Sequence, residues 1–391
     1  MLRVVQNLNP RNKTVLLRVD FNVDLDKKGK ILDDFRIKSS LPTINYLLEN
    51  NNKVVILSHM GRPNGESACP AGRPVKKFSL KPLAKYLEKL IKYKVIFLPD
   101  CIGKEVSQSI LEVEAPSLIL LENLRFYFGE EKGDVSFARN LAELGDVYVD
   151  DAFGAVHRAH ASISVLPHFL PSAAGFLLQK EIEILSSVLQ KPEHPLCVII
   201  GGIKMETKLP VIKNFLGKAD HILLGGGIAN TVLSLKGIGV GKSKIDSDLK
   251  DGIKEIEITN VKIHLPLDAV ALKGKKKRIC GIGAVREGES IYDIGPDTIK
   301  LYGKIIAKSK MIVWSGPMGF IEKKPFDKGT KELLKKIARH KSFSVVGGGE
   351  TLMILKKMKL ASKISHISTG GGAMLEFLAG KKLPGIEVLE N

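Results

Sequence analysis

Short apolar runs rich in β-branched residues alternate with longer amphipathic stretches along the whole chain. Near-continuous apolar runs separated by helix-length segments are the pattern of parallel strands joined by crossover helices. In the first half the runs fall at 14–19, 54–57, 95–98, 118–121 and 147–149. In the second they fall at 196–200, 221–224, 262–265, 311–314, 343–346 and 366–368. Helices are predicted between them, among them 40–49 and 79–90, the latter with Pro82 in its first turn, where proline is tolerated. The stretch 180–189 reads as one helix between the halves, closed off by Pro192 and Pro195. No solenoid repeat or low-complexity tract interrupts the alternation.

Ligands of open α/β sheets bind at the carboxyl ends of the strands, and the two halves differ there. In the first half those ends carry side chains: Arg18, Asp20 and Asn22; Ser58, His59 and Arg62; Glu122, Asn123 and Arg125; Asp150, Asp151, His157, Arg158 and His160. In the second half they carry glycines: Gly201-Gly202, Gly225-Gly226-Gly227, Gly316 and Gly319, Gly347-Gly348-Gly349, and Gly370-Gly371-Gly372. Guanidinium forks match phosphate and carboxylate oxygens. Arg36, Arg62, Arg125 and Arg158, with His59, therefore predict a pocket for a small, multiply charged anion, although any one of them alone reads as a surface ion pair. A glycine turn between strand and helix lets the main chain approach a ligand and turns helix N–H groups toward an anion. One such run could be a tight turn; several in one half predict a nucleotide site.

A length of 391 residues exceeds what one core supports, so two domains are expected. The net charge of +18 is carried by lysine runs such as Lys275-Lys276-Lys277 and Lys323-Lys324, with few aromatics beside them to stack on bases. It reads as solvated faces that also draw in anionic substrates, rather than as a dedicated nucleic-acid surface. No apolar run reaches the roughly 18 residues of a membrane span, and the first residues lack the apolar core of a secretory leader. Cys69, Cys101, Cys197 and Cys280 lie far apart with no paired spacing, which argues against a zinc site or a disulfide framework and for a reducing, cytoplasmic location.

Neither standard phosphate fingerprint is present. Gly237 to Ser243 is one residue too short for the P-loop spacing and follows no strand, and Gly225 to Asn230 lacks the third glycine of the dinucleotide motif. His157 and His160 could share a helical face, but no third ligand is suggested and Arg158 intervenes. The other histidines read as packing or surface residues. A nicotinamide-dependent dehydrogenase and a basic nucleic-acid binder are two readings these features leave open.

The motifs Arg18–Val23 (RVDFNV), 58–63 (SHMGRP), 121–126 (LENLRF), 151–160 (DAFGAVHRAH), 225–230 (GGGIAN), 313–319 (VWSGPMG) and 368–373 (STGGGA) resemble the phosphoglycerate kinase family, in family order and across nearly the whole chain. The resemblance implies two Rossmann-like domains, each a parallel sheet flanked by helices, joined by a helix and hinge with an active-site cleft. It divides the chain into a domain at 1–175 binding 3-phosphoglycerate, a hinge at 176–192 and a nucleotide domain at 193–375, with the tail 376–391 returning to the first. It implies a hinge-bending, monomeric, cytoplasmic glycolytic enzyme that moves a phosphoryl group between 1,3-bisphosphoglycerate and ADP. Mg2+ arrives with the nucleotide, and no obligate protein partner, specific nucleic acid or membrane is involved. Carried over by residue, Asp20, Phe21, Asn22, Arg36, His59, Met60, Gly61, Arg62, Arg125 and Arg158 hold 3-phosphoglycerate or its acyl phosphate. Arg36, Lys204 and Lys208 are the catalytic cations, and Lys208 also reaches the nucleotide. Gly225, Gly226, Gly227 and Gly295 face the adenine, Glu322 the ribose, and Gly347, Gly348, Gly349, Glu350 and Thr351 the phosphates and their magnesium. Gly370, Gly371 and Gly372 start a helix aimed at the reaction centre. Glu350 stands where the family has aspartate, Ser315 where it has asparagine and Asp24 where it has proline.

Overall fold

The computed structural model describes residues 1–26, 29–63, 76–246 and 260–390, so Cys69 and Asn391 lie outside the described residues. The chain divides into two units, Met1–Glu183 with Lys382–Asn391, and Ile184–Lys381.

In the first unit β1 (Thr14–Arg18), β2 (Lys53–Leu57), β3 (Val95–Phe97), β4 (Ser117–Leu120), β5 (Val147–Asp150) and β6 (Ser172–Ala174) form a parallel sheet in the order β3-β4-β2-β1-β5-β6. Both faces are covered, which explains the unbroken apolar runs. Val15 and Leu17 enter one core with Val54 and Ile56, while Leu16 enters the opposite one with Val55 and Leu57. Each such fully buried side chain contributes about 1.5–3 kcal/mol. Beyond Lys382 the chain packs in this unit: Gly385 N donates to Val156 O at 2.9 Å, and Arg3 N donates to Leu389 O at 2.9 Å. A Cβ on Gly385 would press on Ile163 and on the Val156 main chain, so only glycine lets the tail lie this close.

In the second unit β7 (Leu196–Ile200), β8 (His221–Leu224) and β9 (Ile263–His264) precede an antiparallel excursion of β10 (Asp268–Lys273), β11 (Lys276–Gly281) and β12 (Ser290–Ile294). β13 (Met311–Ser315), β14 (Phe343–Gly347) and β15 (His366–Ile367) then complete a parallel sheet ordered β15-β14-β13-β7-β8-β9. Trp314, wholly buried, centres the core of this unit.

The strand order of each sheet reverses beside its first strand, at β1 in one and β7 in the other, which puts the expected binding crevices at the carboxyl ends of β1 and β5 and of β7 and β13.

Several boundaries differ from expectation. The helix predicted from residue 40 spans Phe35–Glu49 with Pro42 inside it; a proline reads as a start signal, but here the helix begins before it. The helix predicted at 180–189 spans Phe176–Gln190 and carries the boundary between the units. Residues 376–381, expected to return with the tail, stay with the second unit, because the helix Gly371–Leu378 packs on Met205–Leu216 and Asn214 Nδ2 donates to Leu378 O at 2.8 Å. β6 and the antiparallel sheet were not predicted. Ser172–Ala174 is too short and too weakly apolar to stand out, and β11 is a lysine-rich edge strand whose Lys276 and Lys277 are exposed.

Tyr302 pins β8 to β9 from the helix Pro296–Ile306: its wholly buried hydroxyl lies 2.7 Å from Leu224 O and 2.8 Å from His264 O. Tyr302→Phe leaves both carbonyls without this donor. It should cost about 1–3 kcal/mol and lower the thermal midpoint by roughly 2–10 °C; calorimetry showing an unchanged midpoint would refute the pinning role.

Candidate functional site

In the first unit the carboxyl ends of β1, β2, β4 and β5 gather charged side chains. Asp20, two residues past β1, accepts from Asn22 N at 3.2 Å and pairs through Oδ2 with Arg36 Nη1 at 3.2 Å. Arg36, in the first turn of Phe35–Glu49, also donates to Asn22 O at 2.9 Å. Asn22 Oδ1 accepts from Gly61 N at 2.8 Å, joining the loop after β1 to the loop after β2. Gly61 adopts φ +61°, and a Cβ there would meet the Phe78 ring at 2.5 Å, so this tight turn requires glycine.

Arg125, in the turn after β4, donates from Nη1 to Gly61 O at 2.7 Å and lies 3.1 Å from Glu131 through Nε. Burial pulls its pKa down to about 10 against the pull of Glu131. Asn123 Nδ2 donates to Met60 O and Phe78 O, and Glu122 accepts from Ser79 Oγ and Leu80 N, so the turn after β4 braces the loop after β2. His59 is buried, with Nε2 4.0 Å from Asp20 Oδ1. Burial first, then Arg18, Arg125, Arg36 and His160, hold its pKa well below the ordinary value. Burial and the same kind of cationic crowding bring His160 down to about 3. Arg158 is half-buried in the turns after β5, where it is one of the charges acting on Arg125 and His160; Arg62 is exposed after β2.

Asp20, Asn22, Arg36, His59, Gly61, Arg125 and Arg158 are therefore brought together, three guanidinium groups and a neutral imidazole at one sheet edge. Phe21 and Met60 are not part of that polar surface: both side chains enter the hydrophobic core, and only their main chains face the loops, Phe21 N donating to Ser58 Oγ at 3.0 Å. Arg18, which the sequence reading did not single out as a site residue, is wholly buried beneath His59.

In the second unit a pocket of about 360 Å³ opens beside β7 and β13. Gly202, Gly226 and Gly227 form part of its wall, with Pro317, Met318, Phe320, Ile282 and Ile291 as apolar lining and Glu322 and Glu350 as acids. Lys242, Lys244 and Tyr292 add polar groups, and none of these three was anticipated. Gly225 and Gly295 do not line it. A Cβ on Gly225 would strike Met318 Sδ at 2.5 Å, and one on Gly295 would overlap the Asp268 carboxylate, so these two glycines serve packing. Main-chain pairing explains Gly202 and Gly226 as well: Gly202 N donates to Pro317 O at 2.8 Å and Gly226 N to Met318 O at 3.0 Å, which knits the loops after β7, β8 and β13 into one surface. Gly347 is occupied likewise, since a Cβ there would overlap Met374.

Gly349 is different. It has open space where a side chain would be, and it begins the helix Gly349–Lys357, whose Gly348 N-cap adopts φ +92°. Gly371 lies beside it, at the start of Gly371–Leu378 after its N-cap Gly370; Gly372 is exposed. Thr351 is wholly buried and turned away from solvent. Lys204 is exposed at the start of the helix Met205–Leu216, while Lys208, one turn on, is buried and donates from Nζ to Ser315 Oγ at 2.7 Å. Burial lowers the Lys208 pKa to about 8, with Glu350 opposing. Desolvation, and then the neighbouring Glu322, raise that of Glu350, with Lys208 opposing. Glu322 and Glu350 thus line the pocket, with the buried Lys208 acting on Glu350 and an open helix N-terminus at Gly349 that suits phosphate. Among the described residues no cluster of three or more His, Cys, Asp or Glu could by itself hold a metal, and no helix is long and apolar enough to cross a membrane.

Comparison with known proteins gives one answer. The family model for phosphoglycerate kinase matches residues 5–381. The chain is 44% identical over 396 residues to a phosphoglycerate kinase of Pseudothermotoga lettingae, covering 99% of this chain and 98% of that one. It is 44% identical to one of Moorella thermoacetica, covering 98% of each. Among solved structures, phosphoglycerate kinase from Coxiella burnetii superposes with a TM-score of 0.84 at 39% identity, over 100% of this chain and 99% of that one. The enzyme from Pyrococcus horikoshii does so with 0.84 at 34%, over 100% and 98%. The dehydrogenase alternative has no support in these relatives. Matched over nearly its whole length in sequence and in fold, the chain belongs to the phosphoglycerate kinase family.

Proposed function

We propose that this chain transfers the acyl phosphate of 1,3-bisphosphoglycerate in line to MgADP, reversibly, giving 3-phosphoglycerate and MgATP in the cytoplasm. The observation that carries the assignment of substrates is the contrast between the two units. One presents Arg36, His59, Arg125 and Arg158 to a small polyanion. The other presents a main-chain wall, an apolar lining and an open helix start to a nucleotide.

On this reading Asp20 and Asn22 orient Arg36, and the arginines with His59 grip the phosphoglycerate; Arg62, exposed, adds to the anion field. Phe21, Met60 and Gly61 contribute main chain. Gly226 and Gly227 face the base, with Gly225 and Gly295 behind them as packing, and Glu322 takes the ribose. Lys208, Gly348 and Gly349 take the phosphates, with Gly347 and Thr351 supporting that loop from within. Gly370, Gly371 and Gly372 add a second helix start. Glu350 holds the magnesium that arrives with the nucleotide. A carboxylate whose pKa is raised beside Glu322 gains from a divalent cation, and a hard oxygen donor suits Mg2+. The bound ion neutralises charge on the phosphate oxygens.

Charge in the transition state spreads over the equatorial oxygens, so positioning and electrostatic stabilisation by Arg36, Lys204 and Lys208 carry the catalysis. The attacking ADP oxygen is already ionised, so no general base is needed and no residue becomes phosphorylated. Substrates assigned to different units require domain closure for transfer, with residues 176–192 as the hinge. The chain acts as a monomer on this reading.

A coupled assay with ATP and 3-phosphoglycerate, run with magnesium and then manganese, should give turnover with either ion and none with chelator; no turnover with either metal would overturn the proposal. Arg36→Ala should fold normally and lose roughly 10²–10³-fold in kcat, and near-normal turnover would remove Arg36 from the machinery. Lys208 gives a pH signature. Its folded pKa of about 8 means that the ammonium is lost as pH rises through that value, so KM for MgADP should climb between about pH 7 and 9. Lys208→Arg should abolish the climb, and a flat wild-type profile would contradict the phosphate role.

A further inference from the structure

The imidazole of His59 meets Arg18 from below: His59 Nδ1 lies 3.2 Å from Arg18 Nη2. A guanidinium carries hydrogen-bond donors and no acceptor. The ring nitrogen facing it can only accept, and in a neutral imidazole the hydrogen then resides on the other nitrogen. We infer that Arg18 is a positioning residue that locks His59 in the Nε2–H tautomer, so that the ring offers a neutral hydrogen-bond donor to the anion site. The identity of that anion rests on the function proposed above; the tautomer does not.

The lock has little freedom. Arg18, Glu130 and Ser162 are wholly buried, and His59 is 5% exposed. Arg18 Nε donates to Ser162 Oγ at 2.8 Å and Nη1 to Val19 O at 2.5 Å, which leaves Nη2 directed at His59 and 3.7 Å from Glu130 Oε1. Glu130 is itself held, accepting from Ser162 Oγ at 2.6 Å and from Ser162 N at 3.0 Å. A purely structural ion pair would need only the Glu130 contact. Here the fork is spread so that a second edge reaches the ring.

On its other side the ring is 4.0 Å from the Asp20 carboxylate, which also holds Arg36. The charged and titratable groups around it are Arg18 and Glu130 beneath, Asp20 and Arg36 beside Nε2, and Arg125 and His160 from the loops after β4 and β5. The cations among them and burial oppose a second ring proton. An imidazolium would have to turn an N–H toward the guanidinium. His59 therefore supplies direction, while the arginines supply charge.

The test is the nitrogen spectrum of the full chain labelled with 15N-histidine, with His59 identified by comparison with His59→Gln. Long-range 1H–15N correlations should show an unprotonated Nδ1 and a protonated Nε2 at neutral pH, unchanged to about one unit below the ordinary histidine pKa of about 6.5. A protonated Nδ1, an average of both tautomers, or an imidazolium in that range overturns the inference. Arg18→Lys keeps a cation beside Glu130 but lacks the spread fork. It should release the tautomer and raise KM for 3-phosphoglycerate about tenfold with kcat changed less. A folded Arg18→Lys protein in which the His59 tautomer stays fixed also overturns it. Should that variant fail to fold, the wild-type spectrum decides alone. A locked tautomer in a protein with no kinase turnover would instead count against the proposed function.

Discussion

Arg18 and Glu130 are both sealed from solvent in the first unit, 3.7 Å apart, and neither charge could be buried without the other. Such a pair gains little over apolar packing, yet removal of one member costs about 3–5 kcal/mol because the survivor is left uncompensated. What it secures is direction. It ties β1 to the helix Phe128–Lys132 and to the helical turn Ala161–Val165 that carries Ser162, and it leaves a guanidinium edge beneath His59. From there the order spreads upward through hydrogen-bonded loops: Ser58 to Phe21, Asn22 to Gly61, Arg125 to Gly61, Asn123 to Met60. The cationic surface can face an anion because the layer under it is already paired.

The second unit solves a related problem with main chain. Its glycines divide into two kinds. Gly225, Gly226, Gly295 and Gly347 bring loops or side chains into contact that any Cβ would obstruct, whereas Gly349 faces open space at a helix start. Of the first kind Gly226 lines the pocket, while Gly225, Gly295 and Gly347 do not; the second leaves N–H groups accessible. On the function proposed above, a nucleotide needs neither the P-loop nor the dinucleotide spacing, since the loops of this pocket come from three different strands.

The parallel sheets were legible because strands buried on both faces must be apolar at every position, as in Val54–Leu57 and Leu196–Ile200. The charged cluster was legible because Asp20, His59 and Arg125 follow those strands within a few residues, while Arg36 comes from the start of the helix Phe35–Glu49. The antiparallel excursion was not: Lys276 and Lys277 read as solvated charge, which they are, while Ile282, Ile291 and Tyr292 gave no sign that the excursion lines the pocket. Glycine runs announced a ligand surface without saying which members meet it, because contact with Met318 or Asp268 is set by partners distant in sequence. Arg18 was quoted in its motif, but its work depends on Glu130 and Ser162, which no spacing rule connects to it.

Residues from Lys382 onward bridge back to Arg3 and Val156, so the first unit is assembled from segments that lie on either side of the second in the sequence. During synthesis the ribosome delivers most of the first unit, then all of the second, and only afterwards the strand of chain that seals the seam. The nascent first unit must wait with its Val156 carbonyl and the side of Ile163 uncovered. The second unit, continuous in sequence, has every one of its parts at hand before that wait is over.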